Sequence, residues 1–208
     1  MNGIVVAGIG TEIGKTFIAS ILTESLEADY WKPVQAGSLH FTDTDFVRAH
    51  ISNRRSVLHP EAYRLVTPMS PHAAAAIDNV TIDLQRLQVP ATSNRLVIEL
   101  AGGLMVPLNN ELLNIDLLKY WGFPVILVSR NYLGSINHTL LSVSALRQHG
   151  LRIAGIIFNG QKNKSTEEII LKYTSLKCIV RTNEEREINK EVIKSYAVEW
   201  KSQLEIFL

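Results

Sequence analysis

Ile4-Val5-Val6-Ala7-Gly8-Ile9-Gly10-Thr11-Glu12-Ile13-Gly14-Lys15-Thr16 lies near the start of the chain and decides its fold. The first four residues are a continuous apolar run, the pattern of a strand buried on both faces. Glycines then interrupt the run. Phe17, Ile18, Ile21, Leu22 and Leu26 follow at helical spacing between Lys15 and Glu27. Strand, glycine-rich turn and helix are the context a phosphate-binding loop requires. Successive backbone N–H groups in such a turn form an anion nest, and the helix start adds partial positive charge. Lys15 would reach the β- and γ-phosphates, and the Thr16 hydroxyl would ligate magnesium. The strict loop pattern wants glycine where this chain has Ile9; Gly8 is one position early and Gly10 one late. A plain strand–turn–helix junction is the competing reading.

Working outward, the same two periods alternate. Apolar runs recur at Leu96–Leu100, Pro124–Val128 and Ile153–Phe158. Helical spacing recurs at Asp83–Leu87, Asn114–Tyr120, Ser135–Gln148, Thr166–Tyr173 and Glu187–Leu204. Apolar strands alternating with amphipathic helices imply a mostly parallel sheet covered on both faces, an α/β three-layer sandwich; the phosphate-loop pattern at its first turn makes the expected fold P-loop NTPase-like. The 208 residues fit one domain, 1–208, with no repeat or linker. Leu39–Pro90 is the least regular stretch and is expected to hold loops over the strand ends. Charge-rich Lys162–Glu191 reads as solvated helix faces.

Composition narrows the function. Lys and Arg number 21 against 20 Asp and Glu, a net charge of +1. That balance argues against a global basic face, so neither nucleic acid nor a membrane surface is expected as partner. Gly3–Gly10 is far short of the roughly 18 apolar residues that span a bilayer. It lacks the positive residues that open an export signal. The lone cysteine, Cys178, excludes an intrachain disulfide and any CxxC site. It reads as a small apolar strand residue and fits a cytoplasmic location.

Five more segments carry polar residues at strand ends, where open α/β sheets bind ligands. Lys32 in Tyr30-Trp31-Lys32-Pro33-Val34-Gln35-Ala36-Gly37 reads as a strand-end lysine. Asp43-Thr44-Asp45 precedes Phe46-Val47; an acid there is a helix cap or a magnesium ligand, and Asp45 is chosen over Asp43 for lying closest to the apolar helix start. Glu99 ends an apolar strand before Ala101-Gly102-Gly103, the place of the second acidic group of P-loop enzymes. Asn131-Tyr132-Leu133-Gly134-Ser135-Ile136-Asn137-His138 opens a helix, and its free N–H groups would suit a carboxylate; a normal helix capped by Ser135 fits equally. Asn159-Gly160 is either a bare turn or an amide facing a nucleobase.

Together these segments resemble the dethiobiotin synthetase family from about Gly3 to Gly160. The matching residues are Gly8 with Thr11–Thr16, Lys32-Pro33-Val34, Ser70-Pro71-His72, Glu99 with Ala101-Gly102-Gly103, Leu133–His138, and Asn159. The early Gly8 that breaks the strict loop pattern is what this family shows. The resemblance implies an ATP- and Mg²⁺-dependent cyclo-ligase of biotin synthesis that joins CO2 to 7,8-diaminononanoate. It implies a catalytic role for Thr11, Lys15 and Lys32. ATP would be held by Glu12, Ile13, Gly14, Lys15, Thr16, Phe17, Asp45, Glu99, Leu100, Ala101, Gly102, Asn159 and Gly160. The substrate would meet Thr11, Lys15, Lys32 and Ala36, and, across a homodimer interface, Gly134, Ser135, Ile136 and Asn137 of the neighbouring chain. The metal would be held by Thr16, Asp45 and Glu99.

The chain also departs from the family. Ala36 stands where many members carry a hydroxyl. Leu100 replaces a glycine and is expected to add bulk near the phosphates. Cys178–Glu184 replaces a proline-rich strand end that contributes to the base site; Thr182 to Glu184 are expected near the adenine. Two rivals stand beside this reading. One is another ATP-dependent amidating or carboxylating enzyme on the same scaffold. The other is an ATPase switch that binds a protein partner, a reading weakened by glycine at position 10, where switch relatives carry a second lysine.

Overall fold

The computed structural model describes residues 2–207. The elements in chain order are β1 (Gly3–Gly8), α1 (Lys15–Leu26), β2 (Asp29–Trp31), β3 (Val34–Ala36), α2 (Asp43–His50), β4 (Leu58–His59), β5 (Tyr63–Leu65), α3 (Pro71–Ile77), a 3₁₀ turn at Leu84–Arg86, β6 (Leu96–Gly103), α4 (Asn114–Trp121), β7 (Val125–Arg130), α5 (Ser135–Gln148), β8 (Ile153–Asn159), α6 (Lys164–Thr174), β9 (Cys178–Arg181) and α7 (Lys190–Phe207). A seven-stranded sheet runs β4-β2-β6-β1-β7-β8-β9. Every neighbouring pair in it is parallel. β3 and β5 form a separate parallel pair.

The apolar runs explain the middle of the sheet. All six residues of β1 are buried, as a strand covered on both faces requires. Alternation splits the side chains between two layers. Ile4 and Val6 point with Tyr30 and Val97 toward a core shared with α1, α2 and α7. Val5 and Ala7 point with Trp31, Ile98 and Leu100 toward a core that includes residues of α3, α4 and α5. Leu127 and Phe158 continue that second layer against α5 and α6. The charge-rich segment Lys162–Glu191 is only partly solvated, since Glu167, Ile170, Thr174, Ile179, Val180 and Thr182 within it are buried. Ile193, Tyr196, Trp200 and Leu204, at helical spacing on α7, are buried against the α1 face. Each such side chain contributes roughly 1.5–3 kcal/mol of transfer free energy.

The irregular stretch Leu39–Pro90 holds short elements as well as loops: α2, β4, β5, α3 and the 3₁₀ turn. Its strands have two or three residues, too few to reveal a period. The topology leaves one place for chemistry. β1 lies between β6 and β7, so the chain's connections diverge from its carboxyl end, and a crevice opens there.

Candidate active site

The turn from Gly8 to Lys15 sits in that crevice. Two residues hold left-handed backbone, Glu12 at φ 56° and Gly14 at φ 91°. Gly14 has no alternative: a Cβ there would stand 2.0 Å from Asn159 Nδ2. It is the N-cap of α1 and supplies no side-chain cap, so the N–H groups of the first helical turn remain available to an anion. Lys15 opens the helix and is buried. Its ammonium donates back to the Gly10 carbonyl at 2.8 Å, closing the turn into a ring. Burial lowers its pKa to about 8; Glu99 opposes this and Lys32 adds to it.

Beside the turn, five side chains from four parts of the sequence converge. The Thr16 hydroxyl lies 3.0 Å from Asp43 Oδ1 and 2.8 Å from Glu99 Oε1. Lys32 donates to Asp43, and to Glu99 Oε1 at 3.0 Å. Tyr30, two residues before Lys32, donates its phenol to Glu99 Oε2 at 2.8 Å. Glu99 is wholly buried, and such a charge is tolerable only when fully partnered. These contacts partner both oxygens. Burial pushes the Lys32 pKa down, but Glu99 and Asp43 outweigh it and hold the group above the ordinary lysine range. Burial, then Glu99, holds Tyr30 well above the ordinary phenol range, so it remains a donor.

Two expectations are corrected here. Asp43, not Asp45, is the acid beside Thr16 and Glu99. Helix α2 begins at Asp43 with Thr42 as N-cap. Asp45 turns back to accept from the Thr42 N–H at 3.0 Å and hydroxyl at 2.9 Å, and pairs with Arg48. Its pKa is lowered, chiefly by the bond from the Thr42 backbone N–H. Thr42-Asp43-Thr44-Asp45 has the spacing of a capping box, a pattern that would have placed the helix start three residues earlier. Leu100 adds no bulk near the turn. It follows Glu99 on a strand, so its side chain faces the opposite layer, fully buried there.

The turn and the cluster line a cleft of about 930 Å³, and the strand order sets the rest of its lining in two arms, one on the β2 side of β1 and one on the β7–β9 side. One arm runs past Gln35, Ala36, Phe41, Met69 and Ser70. The other runs past Phe17, Arg130, Asn159, Gly160 and Asn183 to Ile188. Thr11, Glu12, Ala101 and Gly102 border it as well. Gly134, Ser135, Ile136 and Asn137 do not border this cleft. Gly134, at φ 102°, is the N-cap of α5 in place of Ser135, which is buried and weakly accepts from the Tyr132 N–H at 3.4 Å. Leu133 beside them is fully exposed.

Sequence reasoning named no role for Tyr30, Arg130 or Tyr196. Tyr30 was findable, because residues two apart on a strand share a face and Lys32 was already chosen. Arg130 pairs with Glu184 at 2.6 Å over Gly160. Tyr196, from α7, donates to Glu185 and accepts from the Asn183 N–H at 2.9 Å, anchoring the loop that ends the second arm. Nothing local in the sequence signals either contact.

The AAA domain family AAA_26 matches residues 2–192. The chain is 48% identical to the ATP-dependent dethiobiotin synthetase BioD of Cytophaga hutchinsonii, over 93% of this chain and 94% of that protein. It is 48% identical to the protein of that name from Christiangramia forsetii, over 96% of each. The chain belongs to the dethiobiotin synthetase family. Similarity of fold reaches further than similarity of sequence. The cell division ATPase MinD of Pyrococcus furiosus superposes with a TM-score of 0.62 over 100% of both chains at 13% identity. In this dethiobiotin synthetase family member the P-loop sheet is thus shared with distant ATPases. Beside the turn of that sheet this chain gathers Lys32, Asp43 and Glu99.

Proposed function

We propose that this cleft carboxylates 7,8-diaminononanoate and closes it to the cyclic urea dethiobiotin, with ATP as co-substrate. As a dethiobiotin synthetase family member the chain is an ATP-dependent ligase of biotin synthesis; the proposal concerns which residues do the work. The observation that carries it is the pairing of an uncapped helix start at Gly14 with two buried lysines and two acids at its side. Residues 1–208 act as one ligase domain, and the use of ATP fits the cytoplasm.

One amine captures CO2 and loses a proton to become a carbamate. A carbamate oxygen attacks the γ-phosphorus of ATP, and ADP leaves. The second amine attacks the carbamoyl carbon of the mixed anhydride, phosphate leaves, and the ring closes. Phosphoryl transfer of this kind needs positioning and charge neutralisation more than covalent help. The turn from Thr11 to Thr16 cradles the phosphates, with Lys15 at the β- and γ-oxygens. Lys32, held as an ammonium by Glu99 and Asp43, faces the carbamate. Ala36 presents backbone, and Thr11 a hydroxyl, to the same end of the substrate. Glu12 to Phe17, Ala101, Gly102, Asn159 and Gly160 contact the nucleotide; Leu100 contributes main chain only.

Magnesium fits the donor set. Thr16, Asp43 and Glu99 offer hard oxygens that converge on one hydroxyl. Among the described residues no group of three or more His, Cys, Asp or Glu gathers as a metal cage, which suits an ion that shares its coordination with phosphate oxygens. When bound, the ion neutralises charge between the phosphates.

The exposed α5 start fits a homodimer, in which Gly134 to Asn137 of a second copy hold the substrate's distant carboxylate. Binding both ends makes ring closure effectively intramolecular. The test is to mix the protein with Mg–ATP, ¹³C-bicarbonate and 7,8-diaminononanoate. The expected product is a cyclic urea carrying one ¹³C. ADP formed without it, at a rate indifferent to the diaminoacid, would support an ATPase switch instead.

A further inference from the structure

Tyr30 touches neither nucleotide nor substrate in the reaction just described, yet it is tied to the cluster that does. Its strand β2 pairs in parallel with β6, with Tyr30 opposite Val97. Residues two apart on a strand share a face, so Glu99 lies on the same side of the sheet as Val97 and Tyr30. That side is the core shared with α1, α2 and α7. Tyr30 and Glu99 are both wholly buried. The Tyr30 phenol donates to Glu99 Oε2 at 2.8 Å, and among the described residues it is the one side chain that does so. The other oxygen, Oε1, meets Thr16 at 2.8 Å and Lys32 at 3.0 Å. The carboxylate therefore has an inner oxygen bonded to a neutral donor of the core and an outer one facing the phosphate turn. The last torsion of a glutamate is broad and roughly two-fold, so the angle at which its oxygens face a ligand is set by such partners.

We propose that Tyr30 is a positioning residue for the metal site: its bond to the inner oxygen fixes the turn of the Glu99 carboxylate so that a cation meets Oε1, an arrangement that selects Mg²⁺ over Ca²⁺. The inference rests on the reading of Glu99 as a metal ligand. Mg²⁺ is small and demands near-ideal octahedral geometry, whereas Ca²⁺ gathers more oxygens in flexible geometry and takes carboxylates by one oxygen or by two. A carboxylate held from both ends suits the first ion. One free to turn about its last bond and offer both oxygens suits the second. The phenol does not block Oε2, which keeps a second lone pair; it makes turning that oxygen toward the cation cost a hydrogen bond. Outer partners that orient a ligating group commonly govern metal affinity in this way. Loss of the phenol also leaves a buried oxygen without its donor, a cost that is the same whichever ion is bound. The ratio between ions, and not affinity alone, therefore reports positioning.

The experiment measures, by calorimetry, how the Mg²⁺ and Ca²⁺ complexes of a non-hydrolysable ATP analogue bind to the wild-type protein, Tyr30→Phe, Glu99→Gln and the double variant. Tyr30→Phe keeps the ring and its packing, and melting temperatures check that each variant is folded. Wild type should prefer the Mg²⁺ complex. Tyr30→Phe should weaken that complex about tenfold, the scale of losing an outer partner of a metal ligand, and the Ca²⁺ complex by less than about threefold. Glu99→Gln should also lose the preference. Adding Tyr30→Phe to Glu99→Gln should cost no further preference, because Tyr30 acts through the acid. A general loosening of the fold would weaken both complexes in equal proportion. An unchanged preference in Tyr30→Phe, equal weakening of both complexes, or a further loss of preference in the double variant overturns the proposal. If Glu99→Gln binds both complexes as wild type does, the metal reading fails and the proposal falls with it. None of these measurements needs turnover, so a failure to form dethiobiotin would count against the proposed function alone.

Discussion

The phosphate turn and the second arm of the cleft hold their charges differently. At the phosphate turn, Lys15, Lys32 and Glu99 are buried and bonded to one another or to the turn itself. At the base arm, Arg130 and Glu184 form an ion pair whose side chains are 39% and 54% exposed. Charge out of water interacts strongly and cannot be rearranged cheaply. Charge at a wet rim is screened and worth little. The same residue types are therefore held rigidly in one place and left free to rearrange in the other.

That contrast is most easily broken by truncating the lysines. Lys15→Ala and Lys32→Ala should each lower kcat for dethiobiotin formation by on the order of a thousandfold or more, since each removes a buried positive charge from the transferring phosphoryl group. Full activity in either would remove that lysine from the mechanism. The adjacent acids sharpen the contrast within one helix. Asp43→Asn should lower turnover roughly a hundredfold and shift its magnesium dependence. Asp45→Asn should leave turnover within about twofold and lower the melting temperature, because it weakens a helix cap. Exchanged outcomes would return the metal to Asp45.

A third prediction concerns pH. Lys15 titrates at about 8 in the protein. Bound phosphates favour its charged form and raise that value. Between pH 8 and the raised value, the free state carries fewer protons than the bound one, so nucleotide binding should take up a proton and ATP affinity should fall as pH rises through 8. Below about pH 7 the uptake should vanish, since the lysine is then already charged. Calorimetry in buffers of different ionisation enthalpy reads this directly, and Lys15→Met should abolish it. The smallest effect belongs to the rim: Arg130→Ala should change KM for ATP less than about threefold, and a larger loss would show that the rim pair holds nucleotide.

Much of the sheet was legible because its central strands are unbroken apolar runs separated by helical spacing. The phosphate turn was legible because glycine and lysine stand where a strand becomes a helix. Lys32 was legible as a polar residue just past the end of β2, and Glu99 as an acid in an apolar run, although β6 continues beyond it to Gly103. Asp43 was not separated from Asp45, because the apolar pattern of α2 begins later than the helix; the cap at Thr42 sets its start. Leu100 was misjudged by counting along the chain without alternating across the strand. Arg130 was invisible because Glu184 lies 54 residues away and follows β9, which the β7–β8 and β8–β9 pairings bring near; Tyr196 was invisible because its partners Asn183 and Glu185 lie in the irregular loop before α7. The contacts of Asn159 with Ile13 and Thr182 needed the positions of all three together, and no spacing rule links them.

The most direct test of the central claim is a crystal structure with a non-hydrolysable ATP analogue, Mg²⁺ and 7,8-diaminononanoate. The expected density places the triphosphate in the turn from Thr11 to Thr16, the cation among Thr16, Asp43 and Glu99, and an amine of the substrate beside Lys32. A triphosphate bound elsewhere, or a substrate amine far from both lysines, would contradict it.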